Sequence, residues 1–120
     1  RGNKIPFVKE NLKMNKALKI LTEKKLGILI VLNNKNRTVG IVTDGQIRRF
    51  TEKRQDFYKL TVKEIMTKNP IFIDKDELAA KALAIMNTKK ITSLIVNKKE
   101  HPQKTIGVIH IHTILQSNIS

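Results

Sequence analysis

The stretch that decides the fold runs Gly40-Ile41-Val42-Thr43-Asp44-Gly45-Gln46-Ile47-Arg48-Arg49-Phe50. Val39, Ile41 and Val42, with a glycine among them, read as a buried strand. Thr43 and Asp44 supply side-chain oxygens where that strand stops, and both are preferred helix N-caps, because they accept from the unpaired first-turn amides. Ile47 and Phe50 then fall three apart on one face of a short helix. The order is strand, capped turn, helix. Free first-turn N–H groups, a hydroxyl, Arg48 and Arg49 gather at that junction, a chemistry suited to an anion.

Upstream, Ile5 to Val8 is a short apolar entry whose Pro6 confines it to an edge or a strand start. Asn11 is the expected cap of the next helix, where Met14, Ala17, Leu18 and Leu21 recur on one face. Gly27 ends that helix, Ile28 to Leu32 forms a buried strand, and the cluster Asn33-Asn34-Lys35-Asn36 turns the chain. Downstream, the polar stretch 53–60 reads as a linker. Thr61-Val62-Lys63-Glu64 is a capping box opening a short helix through Met66.

The chain then repeats itself. Shifted by 65 positions, Phe7 falls on Phe72, Ala17 on Ala82, Leu21 on Met86, and Leu29-Ile30-Val31 on Leu94-Ile95-Val96. After two extra residues near His101-Pro102, Gly40-Ile41-Val42 matches Gly107-Val108-Ile109. The second copy is expected as strand 71–73, helix 77–89, strand 93–97, strand 105–110 and helix 112–117. Two such units usually pair, since neither buries its strand faces alone.

Composition excludes several classes. The formal net charge is +14, but lysine supplies 19 of the 24 basic residues and is spread through every segment, alongside 17 Ile and 10 Asn. A nucleic-acid footprint clusters its charge and stacks bases on aromatics, which are only 4% here. Nucleic acid is therefore not an expected partner, and a bias of the source proteome explains the charge better. No apolar run reaches the ~18 residues of a membrane span, and the absence of Cys fits a reducing compartment. No Gly-rich phosphate loop and no Ser–His–acid spacing is present, so no catalytic residue is assigned. His110 and His112 share a strand face, but too few further ligands exist for a metal site. With no Met at its start, the chain reads as part of a longer protein.

The repeated β-α-β-β-α unit, with its Gly-apolar-apolar-Thr junction and the lead-in Val62 to Met66, resembles a tandem cystathionine-β-synthase (CBS) domain pair. That implies an α/β fold, with repeat 1–52, linker 53–60 and repeat 61–120 packed about a pseudo-twofold axis. The opening at Arg1 to Pro6, the run Lys25-Leu26-Gly27, the motif Thr43 to Arg49, and His112 three residues before Leu115 resemble the C-terminal region of bacterial arabinose-5-phosphate isomerases. In that family a sugar-isomerase (SIS) domain precedes the CBS pair.

The resemblance implies a cytoplasmic, non-catalytic regulatory and assembly module without a cofactor. Its expected partners are an upstream SIS domain and further copies of itself, as a dimer of CBS pairs and a tetramer in the full chain. It also implies two ligand clefts, one lined by Thr43, Asp44, Gln46, Thr92 and Ser93, the other by Gly27, Ile28, His110, His112 and Thr113. Nucleotide-binding CBS pairs carry an Asp for the ribose hydroxyls where this chain has Gln46 and Thr113. The isomerases of that family start the route to 3-deoxy-D-manno-octulosonate (Kdo) and lipopolysaccharide, so the ligand expected is a nucleotide or sugar nucleotide of marked negative charge, such as that route's product CMP-Kdo, with AMP and ATP binding poorly. A purely structural module that binds nothing is the alternative, as is a CBS pair from another nucleotide-regulated protein. The apolar face of Met14, Ala17, Leu18 and Leu21 is expected to be core, or in CBS pairs partly a dimer surface.

Overall fold

The computed structural model describes residues 5–24, 27–53 and 56–111. By internal contacts the chain falls into two compact units, Arg1–Pro70 and Ile71–Ser120.

In the first unit, β1 (Phe7–Lys9), α1 (Met14–Lys24) and β2 (Ile28–Leu32) form a crossover with the two strands parallel. β2 turns back into β3 (Thr38–Thr43), antiparallel to it, and β3 runs directly into α2 (Asp44–Lys53). The hairpin is set by Asn33, whose Oδ1 accepts from the Lys35 and Arg37 amides at 2.9 and 3.0 Å, and by Asn36 at φ 61°. Asn tolerates that left-handed conformation better than most side chains. β2 is apolar throughout because both its faces are covered: Ile28 to Val31 are all buried.

α1 starts later than Asn11 foretold. The Lys13 carbonyl accepts from the Lys16 and Ala17 amides, while the Met14 amide donates to the Leu60 carbonyl at 2.8 Å. A distant segment fixes the helix start, which no local cap signal records. Met14, Ala17 and Leu21 are buried in the unit's own core and Leu18 packs against it. Met14, Ala17 and Leu21 are thus core, while Leu18 remains partly exposed.

Two residues of the stretch expected as a linker, Phe57 and Leu60, are core as well. Phe57, at 1% exposure, and Leu60 lie in and after a 3-10 turn (Phe57–Lys59), which leads to α3 (Val62–Ile65) and β4 (Thr67–Lys68). Val62 and Ile65 join the same core as Val8, Leu29 and Val42. Backbone bonds from Val62 to the Leu12 carbonyl and from Lys63 to the Glu10 carbonyl hold this strap down, and β4 pairs antiparallel with β3. The first sheet has the order β1-β2-β3-β4. Contacts thus place residues 61–70 with the first unit, although by sequence similarity they open the second repeat.

The second unit repeats the crossover: β5 (Phe72–Asp74), α4 (Ala79–Lys89), β6 (Ser93–Lys98) and β7 (His101–His110). Its sheet has the order β5-β6-β7, with β5 parallel and β7 antiparallel to β6. The register copies the first unit, Phe7 opposite Ile30 and Phe72 opposite Ile95, Val31 opposite Gly40 and Val96 opposite Gly107. The two extra residues are absorbed by register shifts after Val96 and Asn97, so β7 starts four residues before the expected Thr105. The expected final helix at 112–117 lies outside the described residues.

Candidate functional site

β3 delivers Thr43 to the start of α2, and the preceding chain meets it there. Ile28 pairs with Thr43, and the Asp44 amide donates to the Gly27 carbonyl at 3.2 Å. Gly27 has φ +72°, and a Cβ on it would stand 3.1 Å from the Asp44 Oδ2. A side chain there would be strained and crowded at once. The second unit builds the same junction: Ser93 pairs with His110, and the Ile111 amide donates to the Thr92 carbonyl at 2.8 Å.

The sequence-predicted residues differ in what they can offer. Asp44, Arg48 and Arg49 are exposed and Thr43 is half-buried. The Arg49 guanidinium lies over the first turn of α2, its Nη1 3.5 Å from where a Gly45 Cβ would be. Ile28 is 1% exposed and belongs to the core. In the second unit Thr92 is exposed, while Ser93 and His110 are half-buried. His112 and Thr113 lie outside the described residues. Within each unit the structure brings Gly27 and Ile28 to Thr43 and Asp44, and Thr92 and Ser93 to His110. Among the described residues no cluster of three or more His, Asp or Glu side chains could hold a metal ion.

Gln46 is the residue whose role changes most. It is buried at 8% exposure. Its Oε1 accepts from the Thr43 amide at 2.9 Å and the Thr43 hydroxyl at 3.2 Å, and the Gln46 amide donates to the Thr43 Oγ1 at 3.4 Å. Its Nε2 donates to the Ile65 carbonyl at 3.3 Å and the Thr67 Oγ1 at 2.6 Å. Thr43-Asp44-Gly45-Gln46 is therefore a capping box with the same spacing as Thr61-Val62-Lys63-Glu64. The Thr-x-x-Gln spacing of this box is present in the sequence, although the ligand potential of Gln46 draws the eye first. Ile65 and Thr67, which complete its bonding, carry no sequence signal.

The family model described as CBS domain matches residues 3–53 and 62–119. The chain belongs to the CBS-domain family. The fold agrees with CBS structures: a CBS-domain protein, ATU1752 from Agrobacterium tumefaciens, superimposes with a TM-score of 0.87 at 18% identity, covering 99% of this chain and 87% of that one. The CBS domain protein PAE2072 from Pyrobaculum aerophilum, complexed with AMP, gives 0.82 at 20% identity, covering 94% and 89%. Among curated proteins, the arabinose 5-phosphate isomerase KdsD of Francisella tularensis is 36% identical over 116 residues, 97% of this CBS pair and 35% of that enzyme. The chain spans about a third of the length of the curated relatives it matches.

Proposed function

We propose that this CBS pair is the non-catalytic regulatory and assembly region of a cytoplasmic arabinose-5-phosphate isomerase, the enzyme that interconverts ribulose 5-phosphate and arabinose 5-phosphate. One observation carries the reading: the similarity to KdsD over 97% of the chain, at 36% identity. An SIS domain elsewhere in the full protein would perform the isomerisation, and the pair would serve its homo-oligomeric assembly.

The ligand proposed is an anionic nucleotide or sugar nucleotide, for which CMP-Kdo is the lead candidate. The first turn of α2 supports this reading, with the Arg49 guanidinium over Gly45 and Arg48 exposed beside it. The P. aerophilum relative, which is complexed with AMP, supports nucleotides as a class. AMP and ATP are expected to bind poorly, because the Gln46 carboxamide is already spent on Thr43, Ile65 and Thr67. That same saturation favours a second reading, in which the pair is purely structural.

Calorimetry on the chain with CMP-Kdo, AMP and ATP separates these. Binding of CMP-Kdo that weakens by about 1–3 kcal/mol in Arg49→Ala supports the sensor. Heat from none of the three supports the structural module, and tight ATP binding overturns the ligand preference. Ribulose 5-phosphate incubated with the chain should show no turnover above buffer; measurable turnover would refute the non-catalytic assignment.

A further inference from the structure

The bonding of Gln46 joins two segments that are far apart in sequence. Its atom assignment follows from its partners, since a main-chain N–H at Thr43 can only donate and the Ile65 carbonyl can only accept. A carboxylate of the same shape could serve Thr43 but has nothing to donate to Ile65. An apolar side chain would leave both ends unsatisfied. Only a carboxamide at this length meets both demands.

The Oε1 end holds the β3–α2 turn. The Nε2 end holds the strap just past α3, where, among the described residues, β4 pairs through Gly40–Lys68 and Ile41–Thr67. Thr67 and Lys68 are both exposed, and Pro70 is the last residue of the first unit. We propose that Gln46 is a positioning residue that fuses the β3–α2 turn and β4 into one cooperative element. A change at the turn is thereby carried to the place where the chain leaves the first unit, and the reverse holds equally. The coupling operates whether or not the turn binds a ligand.

Native-state amide exchange on the whole chain tests this from the far end. Thr67→Val removes the hydroxyl that accepts from Gln46 while leaving Gln46 intact, and Thr67→Ser keeps it. Thr67→Val should lower the protection of the Thr43 amide by about fivefold or more, and Thr67→Ser should leave it unchanged. Gln46→Glu should lower protection at both Thr43 and Met66–Lys68, although its carboxylate can still accept from Thr43. If Thr67→Val leaves Thr43 protected as in the native chain, the two segments are independent and the proposal fails. Equal losses in Thr67→Val and Thr67→Ser would also refute it. Thr67 is exposed, so its substitutions leave the core untouched and test the coupling independently of the Gln46 variant.

Discussion

A glycine recurs at the same register position in both sheets, opposite Val31 as Gly40 and opposite Val96 as Gly107, for unequal reasons. A Cβ on Gly40 would stand 2.6 Å from the Met66 Sδ and 2.8 Å from the Thr67 carbonyl oxygen. The sulfur could swing aside, but the backbone oxygen belongs to β4 and cannot. On Gly107 the nearest atom would be the Val96 Cβ at 3.8 Å, an ordinary contact. Gly40→Ala should therefore cost about 2 kcal/mol or more, by forcing β4 off the sheet. Gly107→Ala should fall within about 0.5 kcal/mol of the native chain. Urea melts of the two variants check this, and equal losses would show that β4 does not press on Gly40.

At the scale of elements, two capping boxes stand at the starts of α2 and α3. In the second, the Glu64 carboxylate accepts from the Thr61 amide at 2.9 Å and its hydroxyl at 3.1 Å. α3 has only four residues, Val62–Ile65, too few to sustain itself by propagation. Glu64→Ala should cost about 1 kcal/mol in a thermal or urea melt, and a neutral result would mean packing of Val62 and Ile65 alone holds the helix. The periodic elements were legible in the sequence because their signal is local. Met14, Ala17 and Leu21 announced α1, and its 65-residue image announced α4. What stayed hidden depends on distant partners. Asn11 looked like a cap, yet the Leu60 carbonyl fixes the helix start. Phe57 and Leu60 are three apart, as Ile47 and Phe50 are, but they stand among Lys53, Asp56, Tyr58 and Lys59, whose polarity reads as a solvated stretch. At the candidate site, Thr43, Asp44 and the arginines were legible as a junction. The engagement of Gln46 by Ile65 and Thr67 was not, since nothing local marks a bond spanning 19 residues.

At the scale of the whole chain, the repeat in sequence and the unit in space have different borders. The first repeat ends near residue 53 by similarity, whereas the first unit runs to Pro70. The difference is the strap, which adds Phe57, Leu60, Val62 and Ile65 to the core. Burying each of these side chains is worth roughly 1.5–3 kcal/mol, comparable in sum to the whole stability of a small domain. A fragment covering residues 1–70 should therefore unfold cooperatively on heating, and one covering residues 1–53 should show no transition. A cooperative melt of the shorter fragment would show that the strap is an accessory. The short final strand of the strap has a second consequence, for solubility. β4 is two residues long and ends in a lysine, so it covers the middle of β3's edge, at Gly40 and Ile41, while offering an incoming strand little to pair with. Without it, the uncharged and, but for Gly40, β-branched run Thr38 to Thr43 would present more bare amides and carbonyls to other molecules. A chain ending at Met66, which keeps the core residues of the strap but lacks β4, would then precipitate strand on strand, whereas the 1–70 fragment stays in solution.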